Sequence, residues 1–500
     1  MSAVKRKGIG LLVGLVAVGL LGLAQAGVPL VLDSPSALDA VALKALGDKA
    51  FAPAIMRATN SKALVDATYY RISRLDEVIP AGAKVFIPEK TWAQAFLAVW
   101  DPNRVEDLFG GGKLVVGSWW TAGGEAEGLE ALFDLYRQRY ADVVIVNATV
   151  AGGAGFVFKA VLKPRLIAGD PPDTFQLHAG LEVEGYSPEV YLRPLDDLYA
   201  IYGWDKVFPP DLLQLMLYKG HYWGVPVNIH RSNVLWYSKE IFARYNLKPP
   251  ANWEEFFQIC EFLKGKGIVP ITLANAGGWE APHLFETILA STLTPEEYRG
   301  LWTGETPWTH PGVTRALEVL KKILDYVNAD YSAHTWDTVL EYIAAGRGAM
   351  NVMGDWAMGW FMAKGVDVGW APVPGTKGVF VALSDTFAFP KRAPNPINVI
   401  GWLEVCGSKA GQIAFNMRKG SIPARTDITP EEKAQFNPYL QSCMEDWARD
   451  AIVPSVMHGA AAPESWVVDF KDAINLFLVT KDVAGTQAAL VAAARAALGK

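Results

Sequence analysis

From Lys113 onward the chain alternates short apolar runs with amphipathic helical patterns, and this alternation leaves few architectures open. Leu114 to Val116 reads as a strand that ends in Trp119, Trp120 and a glycine pair. Leu129, Leu132, Phe133, Tyr136 and Tyr140 then recur at i, i+3, i+4, i+7 and i+11, the spacing of a helix with one buried face. Val143 to Val150 is a β-branched run broken by Gly152, Gly153 and Gly155. Phe156 to Ile167 has helical character, with Pro164 set to end or kink it. Asp173 to Leu177 is the next strand and leads into His178-Ala179-Gly180. Strand, helix and strand in this order predict a largely parallel sheet covered by helices. In open α/β sheets the ligand crevice lies outside the carboxyl ends of the strands, which is where Trp119 and Trp120 fall. Glu125 falls at a helix N-terminus, where its charge suits the dipole.

After Pro226 the pattern changes. The segment GVPVNIHRSNVLWYSK, from Gly224 to Lys239, mixes β-branched and polar residues and opens a second set of helices. One is signalled by Asn252 as N-cap with Glu255 three places on, and another runs from Val313 through Leu317, Leu320 and Leu324 to Val327. Ala349 to Met353 reads as a strand, followed by Gly354-Asp355-Trp356 and a short helix. Gly378 to Leu383 is a further strand, Ser384-Asp385 a turn, and Thr386 to Phe389 an extended piece where the chain returns to its first lobe. The last hundred residues read as helices and loops, with Pro463 at the first position of one helix and an alanine-rich helical tail from Gln487 to Leu498.

Ahead of all this, Lys5, Arg6 and Lys7, the apolar run Gly8 to Leu23, and Ala24-Gln25-Ala26 have the layout of a cleaved export signal. No cysteine follows the cleavage point, which speaks against lipid attachment there. Residues 27–112 read as a small accessory segment, with strands at Val28 to Leu32 and Lys84 to Ile87, helices at Ala37 to Leu46 and Thr91 to Trp100, and Gly110-Gly111-Gly112 as a flexible joint. The expected division is therefore 1–26 signal, 27–112 accessory segment, 113–226 first part of lobe 1, 227–383 lobe 2, and 384–500 a return to lobe 1 with C-terminal helices packing across the lobes.

The formal charge of −6 becomes more negative once the three basic signal residues are removed, which argues against nucleic acid as a partner. Three cysteines give little scope for disulfides; Cys260 sits on the apolar face of a helical pattern, and pairing of Cys406 with Cys443 stays open. Seven histidines and three cysteines show no zinc spacing, and Gly110-Gly111-Gly112-Lys113 lacks the spacing of a phosphate loop, so neither cofactor nor metal is expected. Eighteen tryptophans are an unusual load, explained either by a large core or by a cleft that grips flat apolar faces.

Taken in order, SWWTAGGEAEGLEALFDLY, DPPDTFQLHAG, GVPVNIHRSNVLWYSK, NVMGDWAMG, SDTFAFP, KGSIPAR and HGAAAPES resemble one family, the family 1 extracellular solute-binding proteins of ABC sugar importers, and among them the glucose/galactose-binding members. The resemblance covers roughly residues 113–490. It implies a two-lobe α/β periplasmic-binding-protein fold with hinge strands and a ligand cleft between lobes, a periplasmic or extracellular location, no enzymatic activity, and a membrane permease as partner. Residues 27–112 have no counterpart in the family pattern.

A hexose has an apolar face of C–H groups and a rim of hydroxyls, so it needs aromatic platforms and charged rim partners. The resemblance assigns Trp119, Trp120 and Trp279 as platforms, Glu125 and Asp355 as acceptors, and Lys419, His178 and His458 as donors. Asn228 and His230 lie in the crossover, bonding either to sugar or to hinge backbone. Adjacent residues on an extended strand point to opposite sides, so one of Trp119 and Trp120 is expected to be the more exposed. Each polar residue also has a plainer role: Glu125 complementing a helix dipole, Asp355 capping a helix, Lys419 in a basic turn, and His283 only supporting the Trp279 loop. The resulting expectation is a monomeric receptor that closes on a monosaccharide, glucose first, with galactose and mannose as alternatives. Three readings compete with it: the same fold binding a disaccharide or other polyol, a surface or sensory protein using the same trap, and an exported glycoside hydrolase with Glu125 and Asp355 as its carboxyl pair.

Overall fold

A computed structural model describes residues 27–499; the export signal read at 1–26 lies outside the described residues. Lobe 1 is built on a five-stranded sheet in the order Gly224–Pro226, Asp385–Ala388, Thr174–His178, Lys113–Ser118 and Val144–Thr149. Lys113–Ser118 runs parallel to both Val144–Thr149 and Thr174–His178, as the strand and helix alternation requires. Asp385–Ala388 is antiparallel to its neighbours because it enters from the other lobe. Leu114, Val116, Phe175 and Leu177 are buried under the flanking helices Gly123–Arg139 and Phe156–Ala168. Pro164 lies inside the second of these without ending it. The helix runs on to Gly169, whose φ of 76° is the left-handed closure that glycine adopts freely.

Lobe 2 carries a four-stranded mixed sheet, Val269–Thr272, Gly348–Met353, Val234–Ser238 and Val368–Pro372, in which only the first pair is parallel. The helix Trp253–Lys264 starts as its sequence signals, with the Asn252 side chain accepting from the Glu255 N–H. Between the lobes lies a three-stranded sheet of His230–Arg231, Val379–Leu383 and Ala451–Pro454. The third of these strands is absent from the sequence reading. Four residues ending in proline, set among helices, give no alternation to read, and proline is tolerated there because the strand is on the sheet edge.

The C-terminal helices are shared between the two lobes. Helices Pro396–Gly407 and Lys409–Lys419 pack on lobe 1, whereas Tyr439 of the helix Pro438–Trp447 packs on Trp236 and Trp370 of lobe 2. The helix Glu464–Thr480 bridges the lobes, and Val483–Leu498 lies along Pro311–Ile323 of lobe 2. Pro463 occupies the N-cap rather than the first helical position.

Residues 27–112 fold around Leu38, Val41, Ile55, Ile72, Val85, Trp92 and Phe96, which are continuous with the core of the lobes, and are closed by an antiparallel pair of Val28–Val31 and Lys84–Ile87. This segment is fastened to lobe 1. Buried Arg57 donates to Asn398 Oδ1 at 2.8 Å and to the Asp107 carbonyl at 3.1 Å, and Asn398 Nδ2 donates to the carbonyls of Gly111 and Lys113. The glycine triplet is therefore a fixed turn rather than a flexible joint. All three glycines have positive φ, the Gly111 N–H is held by Asp142, and a Cβ at Gly110 would lie 2.9 Å from Ser61.

Cys260, Cys406 and Cys443 are free and buried. Among the described residues no helix is long and apolar enough to cross a membrane.

Candidate functional site

Where the two lobes face each other across the hinge strands lies a narrow, partly open cleft. Lobe 1 lines it with Trp119, Trp120, Glu125, His178 and Lys419, the hinge with His230, Leu383, Asp385 and His458, and lobe 2 with Trp279, Trp336 and Trp356. The lobes touch at the cleft edge, so this is a closed arrangement. A Cβ at Gly359 of the lobe 2 helix Trp356–Lys364 would lie 2.5 Å from the Lys419 carbonyl, and one at Gly124 of lobe 1 would lie 2.8 Å from Gly359 Cα. The glycine loop after Val144–Thr149 allows a second close approach. A Cβ at Gly153 would lie 2.4 Å from Trp279 Nε1 of the opposite lobe.

Neither Trp119 nor Trp120 is exposed, contrary to the alternation expected of a strand. The chain leaves extended geometry after Ser118, and each indole is wedged against aromatic neighbours: Trp120 on Phe415 and Phe387, Trp119 on Phe158 and, at 4.8 Å between ring centres, on His178. Both still border the cleft.

The charged side of the cleft consists of paired groups. Lys419, at the last turn of Lys409–Lys419, donates to Glu125 Oε1 at 2.9 Å. Burial pushes the Glu125 carboxyl up, against the pull of Lys419. His178 Nδ1 lies 2.6 Å from Glu182 Oε2, which also takes Lys159 Nζ at 2.7 Å. Burial alone would raise Glu182, but Lys159 and His178 outweigh it and bring the carboxyl down to about 2. His230 bonds through Nδ1 to Asp355, while its Nε2 stands 3.2 Å from Asp385 Oδ2, off the line of a hydrogen bond. Burial and Lys419 act against a charge on His230; Asp355 and Asp385 outweigh them and hold its pKa above the ordinary value.

Two residues assigned to the ligand stand behind the cleft instead. Asp355 is fully buried, with one oxygen on His230 and the other accepting the Arg231 N–H at 2.9 Å, so it orients His230 rather than facing the cavity; nor does it cap its helix. Asn228 ties the hinge, donating to Asp385 Oδ2 at 2.9 Å and accepting the Asp385 N–H at 2.8 Å.

The residue missed at the centre is Asp385. Read as a turn, it receives Gln176 Nε2 at 2.8 Å, faces His230 and His178, and lines the cavity. Burial would raise its carboxyl, but His230, His178 and Lys419 hold it well below the usual carboxylate range. Trp356 and Trp336 were also missed. Trp356 lies 5.4 Å from the His230 ring and 5.1 Å from the His458 ring, and the one available signal was its place beside Asp355. His283 packs against Trp279 and Trp356 from behind, matching the supporting role open to it.

His283, Glu286 and His458 bring one ligand-type atom each to within 4.8 Å of one another. The hydroxyls of Ser232 and Ser455 already occupy the space between the carboxylate and the two imidazoles, which makes this trio a hydrogen-bonded network. Burial and the neighbouring imidazoles keep His458 well below its ordinary pKa, and therefore neutral.

Residues 122–413 match the family model described as bacterial extracellular solute-binding protein. The chain is 36% identical over 379 residues to an uncharacterised ABC transporter extracellular-binding protein of Pyrococcus horikoshii, covering 74% of this chain and 85% of that one. It is 31% identical over 357 residues to a probable sugar-binding periplasmic protein of Brucella suis, covering 69% and 83%. Its fold matches that of the bacterial solute receptor AcbH, a receptor for β-D-galactopyranose, with a TM-score of 0.69 at 20% identity over 78% of this chain and all of the other.

Proposed function

The chain belongs to the bacterial extracellular solute-binding protein family, and from that premise we propose that it captures a monosaccharide by hinge closure and delivers it to the permease of an ABC importer. The observation that carries this reading is the lining of the cleft between the lobes, with indoles contributed by both of them and charged groups along its rim. A single pyranose ring is the occupant that this lining would recognise. Its C–H faces meet Trp119, Trp279 and Trp356, and its hydroxyls meet Glu125, Lys419, His178, Asp385 and His458.

Hydrogen bonds to ions contribute about 1.5–3 kcal/mol each, so two or three of them bring the affinity to roughly the micromolar range, about −8 kcal/mol, after ordering costs. Because both lobes line the cleft, the sugar stabilises the closed state over the open one, and that difference is what a permease reads. Glucose leads the expectation, with galactose and mannose next. The chain acts as an exported monomer, with residues 1–26 as its signal. Binding rather than hydrolysis fits the cleft carboxylates, since Glu125 is engaged by Lys419 and Asp385 by Gln176 and Asn228.

Tryptophan fluorescence during titration with glucose, galactose, mannose and maltose tests the reading. A saturable change with one or two monosaccharides, the sugar being recovered intact, is expected. A response to maltose alone, or release of sugar from a glycoside, overturns it.

A further inference from the structure

The network behind the cleft governs the chemistry of one of its walls. Glu286, buried on the helix Glu280–Thr292, accepts the Met457 N–H at 2.8 Å through Oε2. Its Oε1 lies 2.8 Å from the Ser455 hydroxyl and 3.1 Å from the Ser232 hydroxyl. Each serine touches one imidazole: Ser455 Oγ is 2.8 Å from His458 Nδ1, and Ser232 Oγ is 3.2 Å from His283 Nδ1. A hydroxyl has one proton to give, and an ionised carboxylate only accepts. Both serines therefore donate to Glu286, and both imidazoles must donate their Nδ1–H to the serines. His458 is then bare at Nε2, on the ring edge away from Ser455, and its ring lines the cleft. A proton on Glu286 reverses the chain: the carboxyl donates to Ser455, Ser455 donates to His458 Nδ1, and Nε2 carries the hydrogen.

Building on the sugar-binding reading, we propose that Glu286 is a positioning residue for specificity: through Ser455 it sets whether His458 offers the sugar an acceptor or a donor. Two features support this. His283 Nε2 is buried without a partner, and a bare lone pair is tolerated there more readily than an orphaned N–H, which favours the same Nδ1–H form in the second imidazole. Burial also lifts the Glu286 carboxyl to about 7, so both proton states are populated near neutrality. The titratable groups facing Glu286 are His283 on its own helix, Tyr298 on the helix Pro295–Thr303, and His458 beyond the hinge strand. Those facing His458 are His178, His230, His283 and Asp385.

The test uses the protein labelled with ¹⁵N-histidine. Only seven histidines report, and His458 is assigned by its absence in H458N. In the wild type, His458 is expected as the Nδ1–H form well above pH 7 and increasingly as the Nε2–H form below it. In E286Q the amide oxygen stays on the Met457 N–H, and the two amide hydrogens fall on the two serines. His458 is then Nε2–H at every pH, and affinity for D-glucose above pH 7 differs from wild type by about tenfold. The same tautomer in wild type and E286Q overturns the proposal. Should E286Q not fold, S455A cuts the relay at one atom; a His458 tautomer still responding to pH there overturns it equally. If no monosaccharide binds, the sugar reading fails, while the tautomer spectra still decide this inference.

Discussion

The two walls of the cleft are built from different chemistry. The wall from lobe 1 and the hinge holds the charges, Glu125 with Lys419, His178 with Glu182, and His230 between Asp355 and Asp385. Lobe 2 contributes three indoles, Trp279, Trp336 and Trp356, and no charge to the lining. Charged partners read the direction of each hydroxyl, because an epimer leaves a buried ion or donor unpaired at a cost of about 1–3 kcal/mol. An indole face reads only the C–H surface, which epimers largely share. The charged wall should therefore carry specificity, and the indole wall general affinity.

Asp385→Asn attacks the charged wall at its centre and should give the largest effect. It removes the anion beside His230 and turns one oxygen into a donor that meets Gln176 Nε2 or Asn228 Nδ2. Breaking a buried charge cluster from one side costs about 3–5 kcal/mol, so glucose affinity measured by calorimetry should fall by roughly two to three orders of magnitude. An affinity within about tenfold of wild type would break the comparison.

Lys419→Met comes next and separates structural from ligand roles. Alone it leaves Glu125 buried without its cation, lowering both the melting temperature and the affinity. Adding Glu125→Gln should restore most of the melting temperature but not the affinity. Recovery of both would make the pair merely structural.

This asymmetry was only partly visible in the sequence. The strands at Lys113–Ser118, Val144–Thr149 and Thr174–His178 were legible because short extended runs lead into glycine-containing loops, and a residue at the carboxyl end of such a strand is near the crevice wherever its side chain points. Direction was not legible. Asp355 and Asn228 lie in the right segments but turn inward to His230 and Asp385, since each is a polar group that closes a buried hydrogen-bond set. Asp385 read as a turn because its partners, Gln176 and Asn228, come from two distant segments that only the hinge brings together. The strand Ala451–Pro454, which delivers Ser455 and His458, had too few residues to show a period.

Trp356→Ala probes the other wall. Losing one indole face should cost about 1–2 kcal/mol, roughly tenfold in affinity, by nearly the same factor for glucose, galactose and mannose. A loss confined to one epimer would mean that the indole wall reads stereochemistry after all.

The smallest effect is the response to acid, and it sharpens the contrast because two observables move in opposite directions. The Glu125 carboxyl has a raised pKa through burial, so on acidification it takes up a proton earlier than a free glutamate. The folded state then binds that proton more tightly than the unfolded chain, so this group's contribution to stability rises as pH falls through the raised pKa and is lost as pH rises. Affinity runs the other way: the protonated carboxyl no longer offers a charged acceptor, and sugar binding should weaken by roughly threefold. Glu125→Gln should remove the Glu125 part of both dependences and leave the part of the affinity profile that runs through Glu286 and His458, while Trp356→Ala, although weaker throughout, should keep the wild-type slope. If Trp356→Ala loses the slope, the two walls do not act independently and the division of labour between them fails.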